Sequence, residues 1–161
     1  MVEELARAWP SLELLHLEAH SHDHRPLVTI RSLLALAQYC PRLRQIRLDF
    51  DASSVPEHPA NAHRRETFRQ PNVRWLDVSH SPISSAVDVA RYLAALFPKL
   101  SMMHSAKQDW PRNHPDNTAR VLVEIGYADL WWRVPSLLRV FQIIEQEEDT
   151  PSDSSSVDST G

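Results

Sequence analysis

Four prolines, Pro10, Pro41, Pro71 and Pro98, set the frame of this chain. Each opens the same pattern: proline, one free position, an apolar residue, two free positions, apolar, one free position, apolar. The segments PSLELLHLEA, PRLRQIRLDF, PNVRWLDVSH and PKLSMMHSAK align without gaps, and their prolines stand 31, 30 and 27 residues apart. Leu12, Leu15 and Leu17 fill the apolar positions of the first copy. Leu43, Ile46 and Leu48 fill the second, and Val73, Leu76 and Val78 the third. In the fourth, Leu100 and Met103 fit while Ser105 departs. A unit this short cannot bury its own apolar faces, so copies must stack on one another.

The stretches before the prolines have helical periodicity. TIRSLLALAQYC, from Thr29, puts Ile30, Leu33, Leu34 and Ala37 on one face, with Thr29 placed as an N-cap. SSAVDVARYLAALF, from Ser84, does the same with Val87, Ala90, Leu93, Ala94 and Phe97. Val2, Leu5 and Trp9 fit the last turns of a similar helix, and His63 to Phe68 gives only a short one. A proline holds the residue before it in extended backbone, so each helix should end at Trp9, Cys40, Gln70 or Phe97. The expected unit is a helix, a terminating proline and a short strand. Stacked units give an α/β protein with a parallel sheet on one side and helices on the other.

Composition narrows the function. The chain has 161 residues, 42% hydrophobic and 24% charged, enough for one domain with a core. It has 2 glycines, and Gly126 is the only internal one, which excludes glycine-rich phosphate loops and nucleotide fingerprints. One cysteine, Cys40, excludes an internal disulfide and a thiolate zinc cluster, and suits a reducing compartment. The formal net charge of -4 argues against a generic nucleic-acid binder. No apolar run reaches the roughly 20 residues of a membrane span, and MVEELARAWP is not a signal peptide. The expectation is an intracellular protein, cytoplasmic or nuclear, with no membrane and no nucleic-acid partner.

Leu12-x-x-Leu15-x-Leu17 and its copies resemble the leucine-rich repeat. WPSLELLHLE, CPRLRQIRLDFD and QPNVRWLDVSHS are similar to the C-terminal repeats of fungal F-box-like substrate receptors. The resemblance implies a short leucine-rich-repeat solenoid over residues 1–106, with the sheet concave and the helices convex. A loop and helical C-terminal cap follow over 107–147. It also implies a non-catalytic protein-protein interaction module. Its role in a ubiquitin ligase would be substrate recognition, with a ligase adaptor as partner only if an F-box lies upstream. Two departures stand out. The Asn or Cys that follows the strand in a standard repeat is missing, with His20, Asp51 and Ser81 near that place, and no F-box is visible.

Side chains alternate across a strand, so residues between the apolar positions line the concave face. They form three rows: Leu14, Gln45, Trp75 and Met102; His16, Arg47, Asp77 and His104; Glu18, Asp49, Ser79 and Ala106. These rows are the candidate partner-binding site. Trp75, Leu14 and Met102 would form an apolar strip beside Arg47 and Asp77, and aromatic and Arg anchors are common binding hot spots. Against this, the C-terminal segment could cover Trp75, and Arg47 could simply pair with Asp77 across strands.

A metal-binding or metal-dependent enzymatic reading would use His16, His20, His22, His24 and Asp23. Loop geometry would scatter these residues, so a polar loop fits better and no cofactor is expected. Cys40, before Pro41, reads as a small buried hydrophobe rather than a nucleophile. Beyond the repeats, KQDWPRNHPD reads as a loop with Trp110 on the last repeat. Two helices should follow, one capped by Asn117 or Thr118 and one starting at Pro135. Trp131 and Trp132 should seal the end of the core. Residues 148–161 should form a disordered acidic, serine-rich tail.

Overall fold

Helices α1 (Val2–Ala8), α2 (Ser32–Tyr39) and α3 (Ala86–Leu96) each stop one residue short of a pre-proline position. The amides of Trp9, Cys40 and Phe97 close the last turn on Leu5, Leu36 and Leu93 at 3.0, 3.0 and 2.8 Å. The carbonyls of the same three residues accept from Leu12, Leu43 and Leu100 at 3.1, 3.1 and 3.0 Å. Cys40 and Phe97 have φ/ψ of -115°/73° and -127°/74°, outside the helical region that a following proline disfavours. The proline thus turns each chain from helix into strand by one repeated hydrogen-bonded geometry.

These details come from a computed structural model, which describes residues 2–17, 26, 28–56, 68–105 and 119–148, the side chains of 119–125 and 148 excepted. Among the described residues the protein is α/β, with four helices and a four-stranded parallel sheet. The strands are β1 (Leu14–Leu17), β2 (Gln45–Leu48), β3 (Trp75–Asp77) and β4 (Met102–His104). They pair in chain order, and equivalent repeat positions fall opposite one another: Leu15 with Ile46, Ile46 with Leu76, Leu76 with Met103. Beyond the strands, isolated parallel bridges join Thr29 to Asp51 and Ala52 to Ile83. The first three units therefore stack on one another at two levels.

One continuous core holds the elements together. It runs from Val2 and Ala6 on α1, through Leu15, Ile46 and Leu76 on the sheet, to Leu93 and Leu96 on α3. It ends on Trp131, Val134 and Leu138 of the last helix, α4 (Ala119–Glu148).

The chain departs from its sequence-based expectations at four places. Thr29 does not cap α2; its backbone is engaged with Asp51, and Arg31 occupies the N-cap without a side-chain hydrogen bond. Trp9, Val87 and the strand residue Leu17, expected in the core, lie exposed, while the rest of the α3 face is buried. The two expected C-terminal helices are one, with Pro135 in its interior. An internal proline removes a donor and crowds the preceding turn, at a cost of about 3 kcal/mol. Trp131, Val134 and Leu138, buried around Pro135, offset this, since each is worth about 1.5–3 kcal/mol. Finally, only one tryptophan seals the core. Trp131 is 4% exposed and Trp132 75%. Residues 131, 134 and 138 share one helical face, and the adjacent position turns away from it.

Most of the His63–Phe68 helix, the loop with Trp110, the Asn117 or Thr118 cap and the tail lie outside the described residues.

Candidate functional site

The repeat register brings most of the expected rows together on the sheet face opposite the core. In the first row Leu14 lies opposite Gln45, Gln45 opposite Trp75 and Trp75 opposite Met102. Leu14 is 52% and Met102 61% exposed, and Trp75 is half-buried. An apolar strip interrupted by one amide therefore crosses the sheet.

The second row runs His16, Arg47, Asp77, His104 in the same register. Asp77 is only 2% exposed, and burying a carboxylate is costly unless it is paired and hydrogen-bonded. Both of its oxygens are engaged. Oδ1 accepts from the Ser79 amide at 2.8 Å and its hydroxyl at 3.1 Å. Oδ2 faces Arg47 Nε at 3.1 Å and His104 Nδ1 at 3.3 Å, so it ties β3 to both neighbouring strands. The approach of Arg47 Nε is an ion pair rather than a linear hydrogen bond.

The third row is only partly a row. β2 ends at Leu48 and β3 at Asp77, so Asp49 and Ser79 belong to the turns that follow. Ser79 has φ of 42°, a left-handed backbone that its hydrogen bonds to Asp77 hold in place. The His80 amide donates to Asp49 at 3.3 Å, which joins the two turns. Glu18 and Ala106 lie outside the described residues.

The surface has two further features. A cavity of about 470 Å³ lies between β4 and α4, with Trp75, Met102, Trp131, Trp132 and Pro135 in its wall and His104 among its polar lining. The C-terminal helix therefore borders Trp75 and leaves an opening beside it. The second feature is a basic border. Arg42, Arg44, Arg74 and Lys99 lie exposed on the side where the strands begin. Arg44 and Arg74 hold the same place in successive repeats, next to Gln45 and Trp75, with Glu13 at that place in the first repeat. This pair was legible in the sequence once the prolines were aligned.

Three polar side chains, buried at Gln70 and Ser81 and half-buried at Gln142, join the units by contacts that the sequence did not reveal. Gln70, in the pre-proline position, donates to the Cys40 carbonyl and accepts from the Asn72 amide. Gln142 on α4 donates to the Phe97 and Leu100 carbonyls at 3.3 and 3.0 Å, so it meets the pre-proline carbonyl of the last unit as Gln70 meets that of the second. Ser81 Oγ accepts from the Phe50 amide at 2.9 Å, and its carbonyl accepts from Trp131 Nε1 at 2.7 Å. Ser81 lies near the place where a standard repeat carries its Asn or Cys.

Cys40 is buried, with its thiol against the carbonyls of Ala6 and Trp9 at 3.6 and 3.7 Å, and burial pushes its pKa up. A raised thiol pKa suits a packing residue and works against nucleophilicity. Of the histidine segment, only His16 lies within the described residues. Among these, no group of three or more His, Cys, Asp or Glu could hold a metal ion. Among them, too, no helix is long and apolar enough to cross a membrane. No protein-family model, curated protein or solved structure matches the chain.

Proposed function

We propose that this chain is a non-catalytic protein-interaction module of leucine-rich-repeat type, and that the outer face of its parallel sheet is the concave binding surface. The observation that carries this reading is the strict register of the four strands. It turns isolated residues 27 to 31 apart in the chain into two continuous rows. One row is largely apolar and the other polar, and together they present an aromatic anchor beside an Arg and a His. The polar row favours binding over catalysis. Ser79 is hydrogen-bonded to one oxygen of Asp77 and His104 faces the other, so within this row serine, carboxylate and imidazole do not follow the order of a nucleophile, its base and an orienting acid.

The resemblance to F-box-type receptors gives the reading its biological form. If an F-box precedes the first helix, this surface would choose substrates for ubiquitination by recognition and positioning alone. An in-frame F-box in the genomic sequence upstream of Met1 supports that part, and its absence argues against it.

The surface itself is tested with a displayed library of random dodecapeptides selected on the full chain. Leu14→Lys and Met102→Lys change exposed side chains and leave the core intact. Selected peptides are expected to lose binding to both variants. Peptides that bind the variants as well as the parent protein would place the interaction elsewhere.

A further inference from the structure

We infer that the partner segment is acidic and carries one bulky apolar side chain, which enters the cavity between β4 and α4. This rests on the concave-face reading above and adds the chemistry of the partner.

Charge complementarity is the first argument. The whole chain has a formal net charge of -4, yet the border of this face has the opposite sign. Arg42, Arg44, Arg74 and Lys99 are all exposed there; Glu13 opposes them at the first repeat, and Glu145 and Glu147 at the end of α4 lie beside Lys99, so the cationic excess centres on Arg42, Arg44 and Arg74. On the sheet, Asp77 adds little negative field, because Arg47 and His104 face its buried carboxylate. Asp49 is half-buried and accepts from the His80 amide. A local excess of cations on an anionic protein favours carboxylates and speeds their encounter.

The cavity supplies the second argument. Its volume is about 470 Å³, and Trp75, Met102, Trp131, Trp132 and Pro135 form an apolar wall that suits one large apolar group, with Ser101, His104, Ser105 and Ser136 as its polar edge. Methionine walls adapt to the shape of what enters. Met102 and Trp132, both exposed, gain most from being covered.

Spacing links the two. Neighbouring strands lie about 4.8 Å apart, so β4 and β2 are separated by about 10 Å. An extended segment advances about 3.4 Å per residue, so an anchor at β4 puts a carboxylate over β2 about three residues away. Arg44 borders β2 there, and Arg74 stands between it and the cavity.

The test uses fluorescein-labelled dodecapeptides and the full chain, read by anisotropy. One peptide carries a tryptophan with glutamates three residues to either side. Its controls replace the glutamates by lysine, the tryptophan by serine, or move the glutamates next to the tryptophan. The first peptide should bind, and each control should bind at least tenfold more weakly. Arg44→Glu with Arg74→Glu should weaken binding at least tenfold and remove most of its salt dependence; both side chains are exposed, and circular dichroism checks the fold. Binding that is insensitive to peptide charge and to these two arginines would overturn the inference. If it still needs Met102, the concave-face reading survives alone. If the peptide does not bind, and the protein forms an oligomer that the arginine variants dissociate, the occupant is a second copy and the inference falls.

Discussion

Trp131 is the side chain through which the C-terminal helix joins the repeats. It sits in the core against Phe50, ring centroids 6.0 Å apart at 85°, and its indole N–H reaches the Ser81 carbonyl at 2.7 Å. Truncating a buried aromatic to alanine costs about 3–5 kcal/mol. Domains have about 5–15 kcal/mol of stability in total, so Trp131→Ala removes a large share of it. For a chain of this size the loss corresponds to a fall in Tm of about 6–20 °C. Trp131→Phe keeps an aromatic ring but leaves the Ser81 carbonyl without its donor, which costs about 1–3 kcal/mol. Trp132→Ala is the control: it changes an exposed neighbour on the same helix and should stay within about 0.5 kcal/mol. Urea unfolding followed by circular dichroism gives all three values. The expected order is Trp131→Ala, then Trp131→Phe, then Trp132→Ala. If Trp131→Ala costs no more than Trp132→Ala, α4 is not part of the cooperative core.

Two further outcomes follow from buried polar groups. The Tyr92 hydroxyl has no hydrogen-bond partner among the described residues, and burial pushes its pKa from 10 up to about 12. The unfolded chain therefore gives up this proton first. Stability is unaffected below pH 10 and falls as the pH rises towards 12, by up to about 2–3 kcal/mol. Tyr92→Phe should abolish that alkaline loss in paired unfolding curves, and at neutral pH it should be neutral or stabilising by up to about 1 kcal/mol; equal alkaline losses in both proteins would contradict this. Gln70→Leu keeps similar bulk but leaves the Cys40 carbonyl without its side-chain donor and the Asn72 amide without its acceptor. It should cost about 1–3 kcal/mol in urea unfolding, whereas replacing the exposed Gln38 by leucine should cost almost nothing.

The sequence by itself determined the unit and its order. Pre-proline backbone and apolar spacing are local constraints, so Pro10, Pro41 and Pro98 fixed where helices end and strands begin. Because every strand carries the same pattern, the rows Leu14 to Met102 and His16 to His104 could be written down in register beforehand. Tertiary structure decided what local rules cannot reach. Thr29 has a good capping side chain, but its backbone is held against Asp51 in the next unit. Pro135 ordinarily breaks a helix, but burial on both sides of it keeps α4 continuous. Trp131 and Trp132 are indistinguishable in composition, and only docking of α4 sends one into the core and leaves the other beside a cavity. The roles of Gln70, Ser81 and Gln142 also depend on docking, since a buried carbonyl becomes a demand for a donor only once the neighbouring unit has covered it.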